Sequence, residues 1–255
     1  MEVEIIAHRG FSSIAPENTL AAFSAAIEHQ ADSIEFDVQL SADGVPVVFH
    51  DATLTRITGT LGKVRKRTVA QLKDLDAGVW FSDRYRAEPI PTLKEALIAI
   101  ESLKKFLYLE VKTHRAWSDT QIDELVDLLL ELGWANRCIL ASFNPLFIDR
   151  VRQRADMLNF GYIVSTRKGY RTQLVKAANA GNTVIMSAYP LLLKYPGLIK
   201  ASQERGVDVV AWTVDKPKDF QKLVELGVVR IETNCLIGPG VTKKRRFLLR
   251  SRFMD

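Results

Sequence analysis

Short runs of β-forming residues alternate with amphipathic helical stretches along the whole chain, and this alternation restricts the fold more than any other feature. Candidate strands fall at residues 3–7, 33–39, 45–49, 106–112, 137–142, 159–164, 183–187, 208–213 and 229–233. Between most of them apolar residues recur three and four apart, as in Ile122, Leu125, Val126, Leu129 and Leu130, the spacing of one helix face. Helix-start signals precede several of these stretches: Asn18 before Thr19, Pro91-Thr92, Ser118-Asp119 and Lys216-Pro217. Gly133, Gly206 and Gly227 stand where helices would stop. Alternating β and α over 255 residues gives a closed barrel or an open doubly wound sheet. An open nucleotide-binding sheet carries a glycine-rich phosphate loop after its first strand. Here the first turn reads HRGFSSIAPENT, with one glycine. The expected fold is therefore α/β, a single (β/α)8 TIM-type barrel over residues 1–242.

Two irregularities refine this expectation. The second and third strands are joined only by Ser41-Ala42-Asp43-Gly44, a tight turn with no room for a crossover helix. Nine candidate strands then compete for eight barrel places, so one lies outside the ring, in that hairpin. Residues 51–90 are long, basic (KVRKR) and weakly periodic. They read as a small insertion after the third strand, over the barrel mouth, because long loops in compact domains are usually functional.

Composition mainly excludes. The net charge of +5 resides in the tail, residues 243–255, with six basic residues and one acid. Without the tail, 29 basic and 29 acidic residues remain, so no nucleic-acid-binding body is expected. The tail, KKRRFLLRSRFMD, suits a weak contact with an anionic membrane surface; the plainer alternative is a solvated C-terminus that aids solubility. Cys138 and Cys235 have no metal-ligand or disulfide spacing. Residues 1–6 carry two glutamates and no signal-peptide pattern, and no run approaches the roughly 18 apolar residues of a membrane span. The cytoplasm is the expected location.

The functional signal is charge where strands should be apolar. Strands of a parallel barrel are covered on both faces and run nearly continuous in Val, Ile and Leu. Here SIEFDVQ places Glu35 and Asp37 two apart, on one face, and LYLEVKT does the same with Glu110 and Lys112. The first strand ends in His8-Arg9 and the third in His50-Asp51. Unpaired charges buried in a strand cost several kcal/mol, so they need partners or a metal. All fall near the C-terminal ends of strands, where barrel enzymes place their active sites. Three carboxylates suit a hard divalent cation such as Mg²⁺ or Ca²⁺. Arg9 and Lys112 suit a phosphate, and two histidines apart in sequence suit general acid and base. Taken singly, Glu35 or Asp37 could instead pair with Arg9 or Lys112, and either histidine could be structural. His29, on an expected helix, is read as a surface residue; His114 follows Thr113 in a loop that could reach the mouth.

The segments AHRGFSSIAPENTLAAF, IEFDVQLSADGVPVVFHDATLTRITG, LYLEVK and VVAWTVD resemble the glycerophosphodiester phosphodiesterase family, in that order and from Ile5 to about Pro239. The resemblance implies a barrel with a small insertion after the His-Asp motif. It implies a divalent metal, Mg²⁺ or Ca²⁺, held by Glu35, Asp37 and Glu110, with His8 and His50 as the acid/base pair. Arg9 and Lys112 become phosphate contacts, Glu17 lies near the site, and Asn18 is a candidate cap for the next helix. Trp212 becomes an apolar wall for glycerol, with ordinary barrel packing as its alternative. The implied reaction, part of lipid and glycerol metabolism, hydrolyses a glycerophosphodiester to an alcohol and sn-glycerol 3-phosphate. Relatives often carry Thr-Asp-x-Pro near the last strand, where this chain has Thr233-Asn234-Cys235-Leu236; any role of that loop is left open. A lysophospholipid substrate at the same metal site, or a non-catalytic phosphoester-binding barrel, are the rival readings.

Overall fold

Strand closure follows from the β-branched and aromatic runs found in the sequence. The computed structural model describes residues 2–236. Its nine strands are β1 (Glu4–His8), β2 (Ser33–Leu40), β3 (Pro46–Val48), β4 (Leu107–Val111), β5 (Cys138–Ser142), β6 (Asn159–Val164), β7 (Thr183–Ala188), β8 (Val209–Trp212) and β9 (Arg230–Thr233). All except β3 are parallel, and β1 pairs with both β2 and β9, which closes an eight-stranded ring. β3 pairs antiparallel with the far end of β2 and stands outside the ring, as the tight turn requires. This is a (β/α)8 barrel.

Two apolar layers hold it together. The outer layer packs the sheet against the helices through residues such as Phe23, Phe36, Leu97, Leu109, Leu129 and Phe160. The inner layer fills the tube with Ile6, Ile139, Ile163, Val184, Met186 and Val210, so the barrel is a packed core and not a pore. At the N-terminal end of the tube a polar cluster forms a floor. Ser33 Oγ and Tyr108 OH donate to Glu4 Oε1 at 2.5 and 3.0 Å, and Arg230 Nη1 donates to Tyr108 OH at 3.0 Å.

Helix starts follow side-chain chemistry. Thr92 with Glu95 and Ser118 with Gln121 form capping boxes, and Asn144 caps the helix Pro145–Arg152. That helix starts at Asn144-Pro145, itself a start signal. The helix Tyr189–Lys194 is absent from the sequence reading; its apolar run is too short to show a period. At the helix Leu20–Glu28 the cap is Thr19, whose side chain accepts from Ala22 N. Asn18 is thus not the cap, and its different task appears below.

The segment after β3 has its own small core, with Leu54, Ile57, Val64, Leu72, Ala77 and Ile90 packed on Val47 and Phe49. Its weak periodicity reflects short pieces, Thr55–Thr58 and Val69–Lys73 among them. It docks beside the loop and the helix start that follow β1, where Tyr85 OH donates to Ile14 O at 2.9 Å and Ala21 N donates to Glu88 Oε1 at 3.2 Å. Among the described residues no helix is long and apolar enough to cross a membrane. The basic tail, residues 243–255, and the end of the expected barrel span, 237–242, lie outside the described residues.

Candidate active site

Strand register brings together what the chain keeps apart. β1 and β2 place His8 beside Glu35, and β2 and β4 place Asp37 beside Glu110. Beyond Val38, β2 leaves the ring to pair with β3, so Glu35 and Asp37 stand at the ring's C-terminal end although they sit mid-strand. One oxygen from each of Glu35, Asp37 and Glu110 lies within 4.8 Å of the others. These carboxylates fit a hard divalent cation: oxygen donors only, on three rigid strand positions.

Asp37 is the hub. It is 1% exposed and lies 2.9 Å from Lys112 Nζ and 3.2 Å from Arg9 Nε. Asn18, with φ 59°, turns its amide inward, donating to Asp37 Oδ2 at 2.9 Å and accepting from Asp37 N at 3.2 Å. Although burial disfavours its charge, Lys112, Arg9 and His50 hold the Asp37 carboxyl well below the usual range. Lys112 also pairs with Glu110. Burial and the negative Asp37 nevertheless push Glu110 up, and burial with Asp37, Glu232 and Glu110 pushes Glu35 well up. Carboxylates this crowded call for a cation.

The His-Arg-Gly turn is built around backbone geometry. Arg9 is left-handed, φ 57°, which points its N–H at Glu35 Oε2, 3.0 Å away. Its guanidinium donates to Glu17 Oε1 at 2.7 Å, and Arg56, from the inserted segment, clasps the same carboxylate at 2.7 Å. Glu17 is therefore an anchor that joins Arg9 to the insertion. Gly10 has φ 80°, and a Cβ there would lie 2.7 Å from backbone and side-chain atoms of Ala22. Gly10→Ala is expected to destabilise the protein by about 2–4 kcal/mol, from left-handed strain plus overpacking; the urea unfolding midpoint measures it.

The two histidines are oriented differently. His50 Nδ1 lies 2.7 Å from Asp51 Oδ1, and Arg56 Nε donates to Asp51 Oδ2 at 2.6 Å. Buried Gln39 donates to the carbonyls of Phe49 and Asp51 at 2.7 and 2.8 Å, fixing the backbone on both sides of His50. His8 Nδ1 lies 2.7 Å from Asn234 Oδ1. Asn234 Nδ2 donates to Asp215 Oδ2 at 2.7 Å, so its oxygen faces His8, and His8 Nδ1 must carry the proton. His8 therefore directs an unprotonated Nε2 away from Asn234, whereas the Asp51 carboxylate at His50 Nδ1 stabilises a second proton on His50 Nε2. Burial, then Arg9, lowers the His8 pKa to about 4; burial, with Arg9 and Lys112, also lowers that of His50.

Trp212 ends β8 half-buried, packed on the inner core, with its ring edge-on to Phe143 at 5.8 Å. Phe143 follows β5 and is 50% exposed, and Lys112 Nζ lies 6.0 Å from its ring centroid. His29 is half-buried, bonded to Ala25 O and edge-on to Phe11, a structural residue and less superficial than expected. His114 is exposed.

Three mouth residues, Glu232, Asp215 and Phe143, escape the sequence reading, and Asn234 enters it only as a departure from Thr-Asp-x-Pro. Glu232 carries the same signal as Glu35, a carboxylate in a strand otherwise built for burial. Asn234 and Asp215 show as a pair only in three dimensions, and Phe143 is an apolar residue just past a strand end. A cleft of about 570 Å³ lined by Arg167, Arg171, Lys194 and Arg205 shares no residue with this mouth and has no carboxylate or histidine in its lining.

Comparison with known proteins gives a consistent picture. The sequence profile of the glycerophosphoryl diester phosphodiesterase family matches residues 8–235. A glycerophosphodiester phosphodiesterase of Caldanaerobacter subterraneus is 35% identical, over 92% of this chain and 95% of its own. A solved phosphodiesterase of Oleispira antarctica, in complex with the product sn-glycerol-3-phosphate, superposes with a TM-score of 0.81 at 30% identity, covering 91% of this chain and 93% of its own. A glycerophosphodiester phosphodiesterase of Agrobacterium tumefaciens gives a TM-score of 0.75 at 26% identity, over 92% and 98% of the two chains.

Proposed function

Since this chain belongs to the glycerophosphoryl diester phosphodiesterase family, we propose that the barrel mouth hydrolyses glycerophosphodiesters by acid/base catalysis with His8 and His50, beside Glu35, Asp37 and Glu110, which would hold a divalent cation. The protein is an enzyme, a glycerophosphodiester phosphodiesterase that releases sn-glycerol 3-phosphate. The single observation that carries the residue assignment is the register that sets His8 beside Glu35 and Asp37 beside Glu110 at one end of a closed barrel.

Mg²⁺ or Ca²⁺ at the three carboxylates would polarise the phosphoryl oxygens. Arg9 and Lys112 would bind the phosphate, the first as a fork and the second as a point charge. Trp212 and Phe143 would form the apolar wall against glycerol. Asp51 beside His50 stabilises an added proton, whereas the neutral Asn234 beside His8 does not. His8 then starts as the base and His50 as the acid. His8 takes the proton of the neighbouring glycerol hydroxyl, whose oxygen attacks phosphorus, while His50 protonates the departing alcohol. Water opens the resulting cyclic phosphate with the roles reversed. The cytoplasm is our reading of where this takes place, from the sequence alone.

Release of glycerol 3-phosphate from glycerophosphocholine, measured with Mg²⁺, with Ca²⁺ and with chelator, tests the reading. Cation-dependent release supports it; release unaffected by chelator contradicts the cation's role. Water ¹⁸O placed in product with no cyclic species in a single turnover contradicts the cyclic route.

Asn234 has a predicted effect of its own. Asn234→Ala removes the acceptor that sets the His8 tautomer, and kcat is expected to fall about 10- to 100-fold, the usual cost of losing an orienting partner, with KM little changed. Asn234→Asp retains an acceptor and is expected to recover most of the loss; kcat and KM measured separately check both.

A further inference from the structure

Glu232 is the fourth carboxylate of the mouth. β9 pairs it with Ile6, on the same inward face of the strand as Arg230 in the floor. We propose that His8 Nε2, Glu35 and Glu232 form a second cation site, sharing Glu35 with the first, which takes a borderline divalent cation such as Zn²⁺ and so withdraws His8 from proton transfer.

The geometry is one of acceptors facing acceptors. His8 Nε2 lies 3.5 Å from Glu232 Oε1 and 4.0 Å from Glu35 Oε2, and one ligand atom from each of the three lies within 4.8 Å of the others. Because the His8 proton is committed to Asn234 through Nδ1, Nε2 offers a lone pair to two oxygens that also offer lone pairs. Only a proton or a cation placed among them makes that arrangement favourable. Glu232 is 4% exposed, and its Oε2 is buried without any hydrogen-bond partner, a costly state for a polar atom. Arg9 and Lys112 are committed to Glu17, Asp37 and Glu110, and neither forms an ion pair with Glu232.

Donor chemistry separates the two sites. The first group offers three oxygens, the preference of Mg²⁺ and Ca²⁺; the second offers one imidazole nitrogen and two carboxylates, a set that suits Zn²⁺. Occupying Nε2 removes the one His8 nitrogen that faces the reaction, so Zn²⁺ at this site inhibits even while the first cation stays in place. The inference rests on reading Glu35, Asp37 and Glu110 as the first site, and the two can fail separately.

Equilibrium dialysis of the full-length, Mg²⁺-saturated enzyme against Zn²⁺, with both metals quantified, is the test. We expect one equivalent of Zn²⁺ to bind without release of Mg²⁺, and glycerophosphocholine hydrolysis to fall in step with it. Glu232→Gln and His8→Gln, each checked for cooperative thermal unfolding, are both expected to weaken that Zn²⁺ equivalent by more than about 100-fold, the upper cost of losing a mere outer-shell partner. Zn²⁺ that displaces Mg²⁺ one for one, or that binds Glu232→Gln as tightly as the unmodified enzyme, overturns the proposal. Glu110→Gln separates the two readings: it is expected to lose Mg²⁺ and keep Zn²⁺. Absence of Mg²⁺ binding in the unmodified enzyme refutes the first site and leaves the Zn²⁺ result to judge the second.

Discussion

His50→Ala and His8→Ala are each expected to lower kcat for glycerophosphocholine by about 10²–10⁴-fold, the range lost when a positioned proton-transfer group is removed. Both rings border the mouth, with side chains 33% and 16% exposed, so truncation opens no sealed cavity and the unfolding midpoint is expected to move little. The two work in concert, and the double variant is expected to be little slower than the worse single one. Glycerol 3-phosphate release under saturating substrate reads all three. A loss smaller than about ten-fold in either single variant would take that histidine out of the chemistry.

The second large effect is on stability, and it runs opposite to activity. Burial, with like charges nearby, raises Glu35 and Glu232 well above the ordinary carboxyl range in the cation-free protein. Their unfolded counterparts ionise near pH 4.3. A raised carboxyl pKa means the folded state binds more protons, so its contribution is fully present below the unfolded value and is lost as pH rises through the folded value. Asp37, held low, contributes above about pH 3.9 and stays constant at neutral pH. The lowered histidines weaken the fold only below about pH 6.5. Above about pH 6.5 the raised carboxyl groups therefore dominate, Glu110 among them at about 7, and the Tm with chelator is expected to fall as pH rises through their folded values. Mg²⁺ or Ca²⁺ at 100 times its Kd adds about 2.7 kcal/mol, or roughly 5–11 °C for a domain of this size, restoring it. Glu35→Gln removes a repelling charge and is expected to raise the chelator-treated Tm at pH 8.5, abolish the cation-induced shift and abolish activity. A flat Tm across that range, or an unchanged cation shift in Glu35→Gln, would contradict this account.

Much of this was readable in the chain because burying a charge is expensive. Glu35, Asp37, Glu110 and Lys112 declared themselves by interrupting strands that must be greasy on both faces, and the four-residue turn after Leu40 forced β3 out of the ring. What could not be read was register. Nothing in one dimension places His8 beside Glu35, or shows that β9 carries Glu232 to the same level. Asn18 reads locally as a helix cap, since its side chain suits that position; a left-handed backbone turns it to Asp37 instead, with Thr19 taking the cap. Asn234 reads in the sequence only as a departure from Thr-Asp-x-Pro that leaves the loop's role open, and it is the residue whose Oδ1 meets His8 Nδ1. The inserted segment hid its core because four- and five-residue helices carry too few turns for a period to emerge.

The polar floor beneath the barrel has a consequence for traffic. With Glu4, Tyr108 and Arg230 bonded across the N-terminal end and the tube above them filled, the mouth is, among the described residues, the open end of the barrel. Substrate, water and both products must share it. The route of entry and exit is thus set by a part of the molecule at the far end of the tube from the mouth.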